Sequence, residues 1–317
     1  MSSHRAAVAV STLVDGTIVA SCRLLALSDD EVGVVAHELC DPLRPLLAVH
    51  LSSTAKGLRT AMQPALAELR LQRQAAKAFA AHCGSSTAGL RDVSVLRFGA
   101  LYLFSIAQHF GGPLSLAHWR TLGHLVGCRS LPRLEGLFFT GFDNGDEGAA
   151  LLAAGLRRGG LPSLKLLSFE GVQLGDQGAA ALATALTKRT LPALVGLDLI
   201  DSQIGDAGLV ALAPVVRQLP NLDYLSLDNN LIGDRGLASL LAEPVEGALP
   251  SLRSLYLFDN QITDSGCAKL ASALRGGALP NLYECNLTGN PGEAAQETVD
   301  AVLNSRRAAG DTEGLPE

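Results

Sequence analysis

The sequence predicts an α/β solenoid, in which short parallel strands form one face and helices form the other. The first observation is a Leu-Pro pair that recurs every 28 to 30 residues through more than half of the chain. The second is that each unit carries leucines two residues apart, then a turn residue, then a stretch with helical periodicity. One such unit cannot bury its own apolar face, whereas six stacked units form a continuous core. The pairs begin at Leu131, Leu161, Leu191, Leu219, Leu249 and Leu279.

The fourth unit shows how each part of the repeat is expected to fold. Leu225 and Leu227 place two apolar side chains on one face of a short strand. Asn230 follows where the chain turns, and its amide can satisfy backbone groups of the turn and of the neighbouring unit. Asp234 stands where a helix N-cap is expected, and Pro244 is expected to end this helix a turn early.

The other units repeat this frame with small departures. The first three have Phe142, Val172 and Ser202 at the turn position, so we expect these turns to be packed rather than hydrogen-bonded. The turn asparagine returns at Asn260 and Asn290. Aspartates expected to cap their own helices are Asp176, Asp206, Asp234 and Asp264. Helix residues expected to point into the core are Leu152, Leu156, Leu182, Leu186, Leu212, Val216, Leu240, Leu270 and Leu274.

The frame Leu222-x-x-Leu225-x-Leu227-x-x-Asn230 resembles leucine-rich repeats of the ribonuclease-inhibitor type. The resemblance covers residues 131–303 and implies a leucine-rich-repeat horseshoe, with parallel strands on the concave side and helices on the convex side. The last unit runs into Pro291-Gly292 and a predicted helix at 293–307, which is expected to serve as the C-terminal cap. Residues 304–317 are expected to form a polar tail.

The residues before the regular repeats are expected to form an N-terminal helical domain and a degenerate repeat. In residues 85–130 the pattern predicts a strand at 95–98, an irregular excursion at 101–116 and a covering helix at 119–128. A further helix is predicted from Pro64 to Cys83, with Gly84 as its stop. Asp15-Gly16 predicts a hairpin turn within residues 1–26, which otherwise form an N-terminal extension.

Residues 27–84 are expected to form the N-terminal helical domain, and residues 27–62 within it carry a second resemblance. The order Leu27-x-Asp29-Asp30, helix, Asp41-Pro42, helix and polar break is similar to an F-box. In that family the module docks on a Skp-type adaptor of a cullin ubiquitin ligase, while repeats behind it hold the substrate. Two positions depart from the family, because Ser28 replaces a proline and Leu58 stands near a usual tryptophan. The alternative is a small helical cap on the N-terminal edge of the solenoid. The resemblance implies adaptor docking by Leu27, Leu39, Leu46, Val49 and Leu51.

Charge and composition exclude several classes of function. Residues 131–303 carry 11 Lys and Arg against 20 Asp and Glu, a balance of −9, so nucleic acid is not expected as a partner. No run of 18 apolar residues predicts a membrane span, and the scattered cysteines are expected to be reduced thiols. No metal, nucleotide or hydrolase motif occurs, and the S-x-x-K match at Ser53 lacks its companion motifs. We therefore expect no enzyme activity, no cofactor and no metal, and a cytoplasmic or nuclear location.

The expected binding surface is the concave side, where residues between the inward leucines face outward. Eight acidic and two basic residues are expected there, which favours a basic or mixed-charge protein partner. The aromatic residues Tyr224, Tyr256, Phe258 and Tyr283 are expected to form one apolar island at the energetic centre of the surface. The predicted partner-binding residues are Glu170, Asp198, Asp201, Tyr224, Asp228, Tyr256, Phe258, Asp259, Tyr283 and Glu284.

Three functions are compatible with these patterns. The first is a non-enzymatic protein-binding scaffold that acts as an F-box-like substrate receptor. The second is a plain scaffold of the inhibitor or innate-sensor kind, in which the N-terminal helices only cap the solenoid. The third is a GTPase activator resembling the Ran activators, although Ala308–Glu317 is shorter and less acidic than their tails.

Overall fold

The computed structural model describes residues 63–99, 110–241 and 249–308. The predicted hairpin at 1–26 and the F-box-like pattern before the first described helix therefore lie outside the described residues. The same holds for the predicted adaptor-docking residues Leu27, Leu39, Leu46, Val49 and Leu51.

The described ranges contain one parallel sheet of eight strands in the order β2-β1-β3-β4-β5-β6-β7-β8. Neighbours in the chain are neighbours in the sheet, except that β3 pairs with β1 and not with β2. Equivalent leucines pair across it, as Leu167 does with Leu197 and Leu197 with Leu225. The strands are β1 Val95–Gly99, β2 Phe110–Gly111, β3 Gly136–Phe142, β4 Leu166–Val172, β5 Gly196–Asp198, β6 Tyr224–Ser226, β7 Ser254–Tyr256 and β8 Glu284–Asn286.

A helix follows each strand from β2 to β8, and each helix packs on the next one along the chain. Their apolar residues share one core with the inward leucines of the strands, and the nine predicted core positions are all buried. The fourth repeat's helix ends at Leu240, ahead of Pro244 as predicted. The helices are α1 Gln63–His82, α2 Leu116–Gly127, α3 Gly145–Arg158, α4 Gly175–Ala183, α5 Asp206–Val216, α6 Asp234–Leu240, α7 Asp264–Arg275 and α8 Glu293–Ala308.

The N-terminal edge differs from its prediction in two respects. The expected irregular excursion contains β2, which pairs in parallel with β1 on the side away from β3. Helix α2 also begins three residues before the predicted Trp119. Its start is set by a capping box, in which Ser115 Oγ accepts from the His118 N–H and the His118 ring accepts from the Ser115 N–H.

Helix α1 covers the apolar edge of the first strands. Ala76, Phe79 and Ala80 are buried in the same core as the repeats, and the Phe79 and Phe98 rings lie 5.7 Å apart. Gly84 ends the helix with φ 63°, a left-handed conformation that glycine adopts without steric cost. This part of the N-terminal region therefore packs against the first strands and shares their core.

The predicted turn asparagines form a ladder between repeats. The Asn260 amide nitrogen donates to the carbonyl oxygens of Leu227 and Leu257, at 2.9 and 3.2 Å. Its Oδ1 accepts from the Ile232 N–H at 3.0 Å, so one buried side chain satisfies backbone groups of two repeats. Asn230 and Asn290 make equivalent bonds. These hydrogen bonds hold the strands in register and so fix the positions of the outward side chains.

The helix-start aspartates do not cap their own helices, contrary to prediction. Asp206 is the first residue of α5, and its Oδ1 accepts from the N–H groups of Gly233 and Gly236, at 2.8 and 2.7 Å. Those groups belong to the start of the next helix. Asp176 acts in the same way on the α5 start, and Asp234 on Thr263. The carboxylates reach across because adjacent helix starts stand side by side in the stack.

The turn at Ser202 also differs from its prediction. Val172 is packed as expected, but the buried Ser202 hydroxyl donates to the Phe169 carbonyl oxygen at 2.9 Å. Ser202 N–H in turn donates to Asn230 Oδ1, so the asparagine ladder begins at this serine. The side chain of Phe142 lies outside the described residues.

Candidate functional site on the concave sheet face

Two rows of outward side chains cross the concave face of the sheet. The parallel register places equivalent positions of adjacent strands next to one another, and the intervening leucines point into the core. The first row consists of Gly136, Leu166, Gly196, Tyr224, Ser254 and Glu284. The second row consists of Arg97, Phe138, Ser168, Asp198, Ser226, Tyr256 and Asn286.

An apolar band, made of Phe138, Leu166, Tyr224 and Tyr256, extends along these rows from β3 to β7. Glycines form part of its floor, because a Cβ at Gly196 would lie 2.5 Å from a Leu166 methyl carbon and 3.6 Å from the Tyr224 ring. The Tyr224 and Tyr256 rings are in contact, with centroids 5.4 Å apart. Leu166 keeps 45% of its surface exposed, which is unusual for a leucine in a strand.

Carboxylates lie beside the tyrosine pair. Burial raises the pKa of Asp198 to about 6, and the nearby carboxylates of Glu170 and Asp228 add to the rise. Hydrogen bonds from the Ile200 N–H at 3.2 Å and the Ser168 hydroxyl at 3.4 Å oppose it. Burial likewise raises the pKa of Asp228. Asp198 and Asp228 are thus partly desolvated acidic side chains, and the exposed Glu170 lies near Asp198.

The pKa of both tyrosines is raised by this surface. Burial and the carboxylate of Asp198 raise the pKa of Tyr224. Tyr256 donates its hydroxyl to Glu284 at 2.7 Å, and this bond, together with burial, raises its pKa to about 12. Both phenols are therefore neutral hydrogen-bonding groups at physiological pH.

The two basic residues expected on this face are already paired. Lys165 lies 3.0 Å from Glu135, and Arg253 lies 3.6 Å from Asp223. None of the ion pairs among the described residues involves Glu170, Asp198, Asp228 or Glu284. Within the two rows Arg97 is the one basic residue. Its guanidinium carbon lies 3.8 Å from the centre of the Phe138 ring, at the N-terminal end of the band.

Not all predicted binding residues lie together. Asp201 and Asp259 are exposed at turns with φ near +50°, a conformation that aspartate tolerates, so both have a structural role there. Phe258 follows β7 beyond the two rows, and its N–H donates to Asp228 at 2.7 Å. Tyr283 precedes β8, and Arg307 of α8 lies over its ring at 4.2 Å. The expected island of four aromatic residues is therefore a pair, Tyr224 and Tyr256.

Sequence reasoning did not identify Leu166 and the floor glycines. Leu166 precedes Leu167, and both have the appearance of core leucines in the sequence. The signal available was Gly136 and Gly196, since a glycine inside a strand often marks a close approach by another group. A register that puts a glycine on either side of Leu166 leaves its side chain standing above the sheet.

The described residues show no constellation for other chemistry. No three His, Cys, Asp or Glu side chains within these ranges lie together as a metal site requires. Cys83, Cys267 and Cys285 are free thiols, and burial raises the pKa of Cys83 to about 12, which disfavours a nucleophilic thiolate. No helix in the described ranges is long and apolar enough to cross a membrane.

Comparison with known proteins finds one family and several similar structures. The family described as "Leucine Rich repeat" matches residues 194–213 and 248–271. No curated protein sequence gives a significant match. A structure of "Leiomodin-1 Actin-Binding Site 2 (ABS2)" is 16% identical with a TM-score of 0.34, covering 42% of this chain and 72% of that one.

Two further structures are similar over longer parts of this chain. The TLR13 chain of a TLR13–ssRNA13 complex is 18% identical with a TM-score of 0.28, covering 63% of this chain and 30% of that one. An internalin (inlF) of Listeria monocytogenes str. 4b F2365 is 16% identical with a TM-score of 0.19, covering 57% and 67%. The family match lies within the repeats whose strands and helices are described above. The chain therefore contains leucine-rich repeats, and its fold is an α/β leucine-rich-repeat horseshoe.

Proposed function

We propose that the chain is a non-enzymatic scaffold that binds a protein through the concave face of its sheet. The observation that carries this is the apolar band of Phe138, Leu166, Tyr224 and Tyr256, which crosses the sheet beside uncompensated carboxylates. Apolar side chains on a rigid, outward face gain free energy when a partner covers them. Aromatic residues with a polar rim are also the usual energetic centres of protein interfaces.

The scaffold is suited to this role because its backbone groups are already satisfied. The asparagine ladder holds the strands from β5 to β8 against one another, and the inter-repeat aspartates join neighbouring helix starts. The outward side chains there therefore need little reorganisation on binding. The predicted residues Glu170, Asp198, Asp228 and Glu284 surround the tyrosine pair and would form the rim. Asp201, Asp259, Phe258 and Tyr283 would lie at its margins.

The test is quantitative affinity capture from cells that express the protein, with the captured proteins measured by mass spectrometry. Tyr256→Ala and Tyr224→Ala are expected to weaken capture of a specific partner at least about tenfold each, which corresponds to about 1.4 kcal/mol. Both should leave the melting temperature nearly unchanged, because neither ring lies in the core. Leu231→Ala is the control, since this leucine is exposed at the turn after Asn230. Unchanged capture by both tyrosine variants would show that the partner binds elsewhere.

The substrate-receptor role is a separate proposal that depends on the F-box-like sequence pattern at residues 27–62. Its test uses the purified full-length chain and a Skp-type adaptor. Leu46→Asp and Val49→Asp should abolish adaptor binding while partner capture on the concave face persists. If the unmodified chain has no affinity for the adaptor, the substrate-receptor role is excluded and the N-terminal region acts as a cap.

A further inference from the structure

We propose that the concave face binds a basic amphipathic helix of the partner, with apolar side chains on the band and arginine or lysine side chains against the carboxylates. This inference depends on the proposed function and adds the chemistry of the partner. It follows from three properties of the face: the length of the band, the state of the sheet backbone and the sign of the uncompensated charge.

The length of the band corresponds to a short helix. Phe138 lies on β3 and Tyr256 on β7, four strand steps apart, and parallel strands are about 4.8 Å from their neighbours. The band is therefore about 19 Å long. A helix rises about 1.5 Å per residue, so about 13 residues, or three to four turns, would cover it. Apolar side chains at every third or fourth position of such a helix would fall on successive members of the band.

The sheet backbone favours a helix over an extended segment. Between β3 and β7 each strand is paired on both sides, and the ladder continues past the short strands through bonds such as Leu227 N–H to the Tyr256 carbonyl oxygen. An extended peptide gains affinity mainly by adding its own backbone hydrogen bonds to a free strand edge, and this face offers none. A helix satisfies its backbone internally and needs only side-chain contacts.

The charge of the face selects a cationic helix. Glu170 and Asp228 lie near Asp198, whose pKa is raised by burial and by these two carboxylates, and none of the three forms a salt bridge among the described residues. A guanidinium or ammonium group placed there would offset the repulsion. Arginine suits the position better than lysine, because its planar group can pair with carboxylates and also stack on the neighbouring Tyr224 ring. An acidic helix would add a like charge and be repelled.

The experiment uses labelled synthetic peptides of 14 residues, with binding followed by fluorescence anisotropy. The first peptide has leucines on one helical face and arginines beside them. The second keeps the arginines but replaces the leucines with serine, and the third keeps the leucines but replaces the arginines with glutamate. The first is expected to bind at least about tenfold more tightly than either of the others. Equal binding of the first and second, or of the first and third, would overturn the proposal.

Matched variants show whether the peptide binds to this face. Leu166→Asn is expected to weaken binding of the first peptide at least about fivefold. Leu231→Asn should leave this binding unchanged, because Leu231 is a 52% exposed leucine outside the sheet. Glu170→Gln should weaken it about threefold and reduce its salt dependence, whereas Glu147→Gln, at an exposed carboxylate in the first turn of α3, should not. Circular dichroism checks that each variant is folded. Equal effects within each pair would place the peptide elsewhere and overturn the proposal.

The two proposals can fail separately. If Tyr256→Ala abolishes capture of a cellular partner but the three peptides bind equally, the concave face binds protein and the helix inference is wrong. If the first peptide binds as expected while capture is unaffected by either tyrosine variant, the surface has the proposed chemistry but the scaffold function is wrong.

Discussion

Replacing Asn230 with alanine is expected to destabilise the solenoid more than replacing Asn260, although the two residues occupy equivalent positions in adjacent repeats. Asn230 Oδ1 accepts from the N–H groups of both Ser202 and Ile204, at 3.2 and 2.9 Å. Its amide nitrogen donates to the Leu199 carbonyl oxygen at 2.8 Å. No other hydrogen bond of the described residues satisfies these three groups, so Asn230→Ala would leave all three buried without a partner.

Replacing Asn260 would leave fewer buried backbone groups without a hydrogen-bond partner. The carbonyl oxygens of Leu227 and Leu257 each accept a second amide, from Asn230 and Asn290 respectively. Asn260→Ala would therefore leave only one buried group, the Ile232 N–H, without a partner.

The difference can be estimated from the number of groups left unsatisfied. A buried polar group without a partner costs about 1–3 kcal/mol, and the net loss of a hydrogen bond costs about 1 kcal/mol. With about 1 kcal/mol for each unsatisfied group and about 1 kcal/mol for the lost hydrogen bonding, Asn260→Ala should lower the free energy of unfolding by about 2 kcal/mol, and Asn230→Ala by about 4 kcal/mol. Asn221→Ala is the control, because its amide makes one exposed bond to the Pro192 carbonyl oxygen and should cost less than about 1 kcal/mol.

Urea denaturation measures these differences. Far-UV circular dichroism follows the helices, and the single tryptophan, the buried Trp119, reports on the N-terminal end of the stack by fluorescence. With a slope of about 2 kcal/mol per molar urea, the two ladder variants should differ in midpoint by about 1 M. Equal midpoints for Asn230→Ala and Asn260→Ala would refute the argument from shared carbonyl oxygens. Midpoints equal to that of Asn221→Ala would refute a stabilising ladder altogether.

Three further predictions concern the repeats that hold the site. Asp206→Ala should lower the free energy of unfolding by about 2 kcal/mol, because two N–H groups of the next helix start lose their acceptor. Asp206→Asn keeps an acceptor oxygen and should recover most of this loss in urea denaturation. No recovery would contradict the assignment. Gly208→Ala should lower the free energy of unfolding by about 1–3 kcal/mol, since its Cβ would lie 2.6 Å from a carboxylate oxygen of Asp176. Gly276→Ala should be nearly neutral, because its Cβ would lie 3.4 Å from the nearest atom. Similar melting temperatures for the two variants would contradict this prediction. Asp198→Asn should raise the free energy of unfolding by about 2 kcal/mol at pH 7, because folding raises the pKa of this carboxyl to about 6 and so disfavours its charged form. The gain should shrink as pH falls through 6 and vanish near 4, and a gain independent of pH would refute the argument.

The repeat frame made most of the fold predictable. The spacing of Leu225, Leu227 and Asn230 is enough to predict a strand, its inward face and a buried turn amide, because each depends on contacts within one unit or on the same unit repeated. Three of the four helix aspartates were assigned correctly as acceptors but to the wrong helix, namely Asp176, Asp206 and Asp234. Nothing within one unit shows that Asp206 reaches the next helix start more easily than its own.

The candidate site was predicted only in part, for a related reason. The outward positions of Tyr224 and Tyr256 follow from strand alternation. Tyr224 directly precedes the inward Leu225, and Tyr256 lies between the inward Leu255 and Leu257. Leu166 and Tyr283 do not follow from it. Both stand near the start of a strand, where the sequence does not show which residue is the first to alternate. The register places Leu166 in the outward row, while Arg307 of the final helix lies over Tyr283.

The sequence by itself determined the repeat length, the parallel order of β3 to β8, the inward leucines and the acidic character of the concave face. These properties depend on periodicity and on charges counted along the chain. Only the tertiary structure decided which side chains meet: the tyrosine pair, Leu166 standing between glycines, and the carboxylates of Glu170, Asp198 and Asp228. These residues are about 30 positions apart in the sequence and become neighbours only when adjacent strands pair, because contact energies depend on separation in space and not along the chain.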